Sequence, residues 1–213
     1  MYFNYGETET EYLKSKDARL AEVIDQLGHI YRPVDTDLFE SVVHTIIAQQ
    51  ISTKAEQTIC RRMADRYGRI TAEKVLAAAP GELQSLGISF RKEDYIRDFA
   101  HKVHTGQFDP DSIRNMSDED AIKALSSLRG IGVWTAEMLL LFCLQRQDIF
   151  SFGDLAILRG LRMVHHHRKI TPQLFEKYRR RYSPYCSVAS LYLWAVAGGA
   201  IDGMKDYAPK QKK

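Results

Sequence analysis

The chain has little of what builds cross-linked or metal-clustered domains. Its three cysteines, Cys60, Cys143 and Cys186, lie far apart and form no C-x-x-C pair. That argues against a disulfide scaffold, a zinc ribbon and a four-cysteine iron–sulfur cluster. Long apolar runs are also missing. The longest, Met138 to Leu144, falls far short of the roughly 20 residues that cross a bilayer. The start MYFNYGETET has no basic segment leading into an apolar one, so neither secretion nor membrane insertion is expected. Strand-type alternation is nearly absent, no repeat of fixed period occurs, and the low-complexity tail Lys210 to Lys213 is expected to fray.

What is present is 213 residues at 45% hydrophobic, enough for one compact domain or two small subdomains. The net charge of +3 hides an asymmetry. Residues 1 to 35 carry 4 basic and 7 acidic side chains, residues 36 to 154 carry 14 and 17, and residues 155 to 213 carry 12 and 3. A C-terminal part that basic suits a polyanion, although a run such as Arg179 to Arg181 is by default a solvated helix face.

Helical periodicity dominates. Leu20, Val23, Ile24 and Leu27 form a stripe ending at Gly28, and Asp37 can cap a helix carrying Leu38, Phe39, Val42, Val43, Ile46 and Ile47. Thr53 and Glu56 have the capping-box spacing for a helix that stops at Gly68, with short turns from Thr71 and Pro80. Tyr95, Ile96, Phe99 and Val103 mark another helix, and Ser117 with Asp120 opens one running to Leu125. Leu155 to Val164 follows, and Thr171-Pro172 and Ser183-Pro184 each place a cap before a proline at the first helical position. His165, His166 and His167 are consecutive, cannot all face one ion, and are expected in a surface loop. The sum is roughly ten helices and no sheet.

The most informative stretch is Leu128-Arg129-Gly130-Ile131-Gly132-Val133-Trp134-Thr135-Ala136, between two apolar-periodic helices. Two glycines one residue apart permit positive φ and a close backbone approach. The helix that follows would offer free N–H groups to an anion such as phosphate, in contacts that read no base sequence. An ordinary tight turn has the same G-x-G. About 25 residues on comes Ile149-Phe150-Ser151-Phe152-Gly153-Asp154-Leu155-Ala156-Ile157-Leu158-Arg159-Gly160, and upstream lies Ile46-Ile47-Ala48-Gln49-Gln50-Ile51-Ser52. In this order, over about Asp37 to Trp194, these motifs resemble the helix-hairpin-helix (HhH-GPD) superfamily of DNA glycosylases, in its DNA-3-methyladenine glycosylase II branch. The loop before Asp154 lacks the proline that the family often has there.

The resemblance implies the roles that follow. Asp154 takes the catalytic position, where a carboxylate stabilises positive charge on the sugar and orients or deprotonates water. Its ordinary alternative is an N-cap for the helix from Leu155. Strand-cutting members carry a Schiff-base lysine where this chain has Trp134, and an indole forms no imine, so hydrolysis without lyase activity is implied. Trp134, Met138 and Trp194 match the base pocket, where aromatic faces attract a cationic alkylated purine. Gln49 and Gln50 are assigned with them, to the cleft or DNA face. Packing in a core is the alternative for the tryptophans. Gly130, Gly132, Val133 and Thr135 are assigned to the DNA backbone, and Arg91 and Lys92, beside Phe90, suit phosphate contacts. Phe90 is assigned to the wedge that replaces an extruded base, or else to a core. The carbonyls of Ser126, Leu128 and Ile131 match those that hold a monovalent cation, Na+ or K+, in the family's hairpin. No other cofactor is implied, and no iron–sulfur cluster.

The expected fold is all-α, with a hairpin-bearing helical subdomain over 36–145 and a second formed by 1–35 plus 146–213, a DNA-binding cleft lying between them. The expected activity is monofunctional removal of alkylated purines, of the 3-methyladenine and 7-methylguanine type, from duplex DNA in base excision repair. The protein is expected to act as a monomer in the cytosol or nucleus. Two alternatives stay open: a non-catalytic hairpin module that binds DNA, and a glycosylase for hypoxanthine or an oxidised purine.

Overall fold

The computed structural model describes residues 1–209, so the tail from Lys210 lies outside the described residues. The described residues form helices and turns without a strand; Tyr2 and Pro33 make an isolated bridge. Two compact units result, one from residue 35 to 144 and one from residues 1 to 34 together with the chain from Gln145 onward.

The contiguous unit begins with α3 (Leu38–Ala48), which follows α1 (Glu7–Lys16) and α2 (Ala18–Leu27) of the other unit. It continues through α4 (Thr53–Tyr67), α5 (Ala72–Ala77), α6 (Glu82–Ser85), α7 (Phe90–His104), a 3-10 turn at Ser112–Asn115, α8 (Asp118–Ser126) and α9 (Val133–Phe142). The six apolar residues read on α3 are all buried, and Phe39 stacks on Phe99 of α7 with ring centroids 4.9 Å apart. Burying each such side chain contributes about 1.5–3 kcal/mol. Asp37 caps α3 through Glu40 N–H, and Ser117 caps α8 through Asp120 N–H. The start of α4 falls one residue before its sequence signal: Ser52, not Thr53, accepts from the N3 amide, here Ala55.

In the split unit, α10 (Leu155–His165), α11 (Pro172–Tyr182) and α12 (Cys186–Ala197) pack with α1 and α2. Ten of the twelve residues of α12 are buried, as an all-round apolar and small-residue sequence requires. Against it lies Gly160 of α10, where an added Cβ would fall on the Leu193 carbonyl oxygen and 2.9 Å from its carbonyl carbon and Cα. One expectation is corrected here and one helix is added. Pro184 is not the first residue of α12, because Tyr185 is the N-cap and Ser183 Oγ donates to Asp148. Helix α1 has no clear apolar stripe, burying only Leu13, which is why periodicity missed it.

The three histidines are not a surface loop. His165 ends α10 and is buried, and the left-handed His166 then turns the chain so that His167 Nε2 meets Tyr178 Oη at 2.7 Å. His165 stacks on Tyr178 and meets Tyr182 Oη at 2.9 Å. Asp17, the N-cap of α2, is the hub: it accepts from Arg19 and Leu20 N–H, Arg181 at 2.7 Å and Tyr182 Oη at 3.0 Å. Burial holds the His165 imidazole down to about 4, outweighing the attraction of Asp17. Burial pushes Asp17 up, but His165, Arg181 and the Leu20 N–H together hold it below its ordinary value.

The unfolded imidazole takes its proton near pH 6.5 and the folded one only near 4. The stabilisation is therefore complete above pH 6.5 and is lost as pH falls from 6.5 towards 4, by on the order of 3 kcal/mol at most. Urea midpoints at pH 7.5, 6 and 5 should fall in that order. In His165→Gln the decline should flatten; an unchanged decline would place the titration elsewhere.

Candidate active site

The 145–154 segment enters the site without a proline and is held by other means. Ile149 N–H donates to Ser187 Oγ, and Asp148 accepts from Ser183 Oγ and Cys186 N–H. Phe150 is buried against Phe175, stacked at 4.5 Å, and Phe152 meets the edge of the same ring at 5.1 Å. The segment delivers Asp154 to the N-cap of α10, where Oδ1 accepts from Ala156 and Ile157 N–H, both at 2.9 Å. A third donor is Trp194 Nε1 of α12, at 3.1 Å. Asp154 is 7% exposed and Trp194 half-buried. Asp154 is thus the N-cap of α10. Three donors on one oxygen fix the carboxyl group in place. Leu155, the next residue, is 80% exposed although apolar.

In the other unit the hairpin joins α8 to α9. Gly130 has φ +85°, and a Cβ there would lie 2.5 Å from Cδ2 of Tyr95. Its carbonyl accepts Gln49 Nε2 at 2.7 Å, so Gln49 supports the hairpin. Gln50 takes a left-handed conformation, φ 57°, and is exposed. Only one of the two glycines needs positive φ: Gly132 is extended, φ −91° and ψ 172°, and caps α9 with no side chain. Nothing lies within 4 Å of a Cβ built on Gly132, so the start of α9 is sterically open there. Val133 and Trp134, the first residues of α9, are both exposed, Thr135 is buried and Met138 half-buried one turn on. Trp134 and Trp194 belong to different units, so the structure of each unit brings together Asp154 with Trp194, and Trp134 with Met138, but not the four as one set.

Phe90 opens α7 and is 80% exposed, so it is not a core residue. Truncation to Ala should leave the melting temperature nearly unchanged, yet weaken binding to duplex more than to single-stranded DNA. Equal loss on both would remove it from the wedge position. Arg91 Nε donates to Tyr95 Oη at 2.8 Å. Lys92 Nζ donates to the Ile47 carbonyl at 2.7 Å, and burial lowers its ammonium pKa, so one of its protons is committed to the end of α3.

Leu128 and Ile131 are buried and Ser126 half-buried. The Leu128 carbonyl accepts Ile131 N–H at 3.1 Å and keeps a second lone pair. Ser126 Oγ is buried without a hydrogen-bond partner. Among the described residues no three His, Cys, Asp or Glu side chains cluster as a metal site. No helix among them is long and apolar enough to cross a membrane.

Residues 43–184 match the model of the HhH-GPD superfamily base excision DNA repair proteins. In sequence, the chain is 28% identical over 209 residues to DNA-3-methyladenine glycosylase 1 of Schizosaccharomyces pombe, covering 94% of this chain and 91% of that protein. In structure, it resembles a DNA-3-methyladenine glycosidase from Bacillus halodurans, with a TM-score of 0.83, 31% identity, and 94% of each chain covered. It also resembles an S. pombe 3-methyladenine DNA glycosylase solved in complex with abasic DNA, at a TM-score of 0.77 and 25% identity, covering 95% of this chain and 100% of that one. With the hairpin, the helix-capping aspartate and a family match over most of its length, the chain belongs to the HhH-GPD superfamily of base excision DNA repair proteins.

Proposed function

We propose that this chain is a monofunctional DNA glycosylase that hydrolyses the N-glycosidic bond of alkylated purines in duplex DNA. The observation that carries the assignment is Asp154, fixed at the start of α10 by two backbone amides and the Trp194 indole. The names of the relatives support the lesion class. An N3- or N7-alkylated purine is cationic and leaves as a neutral base, so it demands little acid catalysis. As the C1′–N bond breaks, the electron pair departs with the base and positive charge develops on the sugar. The Asp154 carboxylate stabilises that charge, and water adds to C1′, passing its proton to the carboxylate or to solvent. Trp134 has no amine to replace water, so the product is an abasic site in an intact strand.

Extrusion of the nucleotide is assigned to Phe90, with Trp134, Met138 and Trp194 as the faces that receive the base, and Gln49 and Gln50 are assigned to the same base. The open start of α9, with Gly130, Gly132, Val133 and Thr135, is assigned to a phosphate. Carbonyls of Ser126, Leu128 and Ile131 would hold a monovalent cation, which supplies positive charge towards DNA phosphate when bound. The test is a panel of matched duplexes bearing 3-methyladenine, 7-methylguanine, hypoxanthine or 8-oxoguanine, incubated and then treated with alkali. Cleavage is expected for the first two. Exclusive cleavage at either of the others overturns the lesion class, and scission before alkali overturns the hydrolytic assignment.

A further inference from the structure

Tyr95, Asp94 and Arg129 have no part in the chemistry above, yet Tyr95 and Asp94 of α7 meet the hairpin, through Gly130 and Arg129. The Tyr95 ring packs so closely on Gly130 that no larger residue fits between them. The same ring carries two guanidinium groups, with Arg91 Cζ 5.5 Å and Arg129 Cζ 5.3 Å from its centroid. Both arginines are exposed. The partners of Arg91 here, the Tyr95 hydroxyl and ring, are neutral. Arg129 pairs with Asp94 at 2.7 Å, in a bridge whose side chains are 49% and 58% exposed. Exposed pairs of this kind contribute little and exchange readily.

We propose that Tyr95 carries a two-arginine clamp for the DNA backbone, in which Arg91 and Arg129 bind phosphodiester groups and Asp94 is the counter-ion that phosphate displaces. This rests on the duplex-binding function proposed above. Planar guanidinium groups match phosphate oxygens in pairs, and stacking on an aromatic ring holds them ready at small entropic cost. Releasing Arg129 from Asp94 exchanges one screened ion pair for another, so binding need not strand a charge. The ring that aligns the arginines also seats Gly130, which couples the clamp to the open start of α9 three residues on. Lys92, held on Ile47, is not part of it.

The test is fluorescence anisotropy with a labelled undamaged duplex over a salt series, which needs no catalysis. Arg91→Gln and Arg129→Gln should each weaken binding about fivefold to twentyfold and reduce the slope of log K against log salt by about one. Asp94→Asn should tighten binding by about threefold or more, whereas Glu22→Gln on α2 should not. Tyr95→Phe should keep most of the affinity and Tyr95→Leu should lose as much as both arginine changes; melting curves report whether the latter folds. If wild type binds and neither arginine variant changes affinity or slope, the clamp is overturned and duplex binding stands. If wild type fails to bind duplex, both fall.

Discussion

Asp154→Asn is expected to lower single-turnover excision of an alkylated purine by a factor of about 10² to 10³. Affinity for duplex bearing an abasic site should stay within about threefold of wild type. Asparagine presents an oxygen where Oδ1 stands, so Ala156, Ile157 and Trp194 keep their acceptor, and asparagine is as good an N-cap as aspartate. The charge is removed, and the second carboxylate oxygen becomes an NH2 group. Thermal melts should therefore coincide within a few degrees, which separates chemistry from folding. Asp154→Ala is the contrast: it strands three donors and should cost about 1–2 kcal/mol as well as the activity. An asparagine variant with wild-type turnover would reduce Asp154 to a helix cap.

The largest loss of stability is expected from Gly160→Ala, at roughly 3 kcal/mol or more, read from urea midpoints. The usual gain from replacing a helical glycine by alanine is about 1 kcal/mol, in the opposite direction. It is outweighed because the new methyl would meet backbone, the carbonyl group of Leu193, which cannot swing away as a side chain can. Relief requires α10 and α12 to separate. Since Asp154 caps α10 and α12 carries Trp194, the 3.1 Å bond between them should be strained too. Excision should fall even at temperatures where the variant is folded. A variant as stable as wild type would mean that the two helices can move apart at no cost.

Much of this was legible in the amino-acid order. The apolar stripe on α3, the caps at Asp37, Ser117 and Thr171, and the proline that opens α11 are local signals, and the chain follows them. So were the hairpin and its separation from Asp154, because motif spacing is a property of the chain. The errors are also physical. The Thr53 signal was displaced by a serine one residue earlier, which caps equally well. Pro184 failed as a first helical residue because Ser183 is engaged with Asp148, a partner 35 residues away. The consecutive histidines read as surface because no local pattern announces a left-handed turn at His166 that sends His165 inward to Asp17.

Sequence alone determined the all-helical architecture, the family and the place of the Asp154 carboxylate in front of a helix, since each depends on periodicity or on residues at fixed separations. Tertiary structure alone decided that the carboxylate is held by an indole 40 positions away, that Gln49 grips the hairpin 81 positions away, and that Tyr95 lies against Gly130 with two arginines on its ring. Such contacts form when helices distant in the chain bury their apolar faces together. Their geometry belongs to the packing, and no short stretch of residues specifies it.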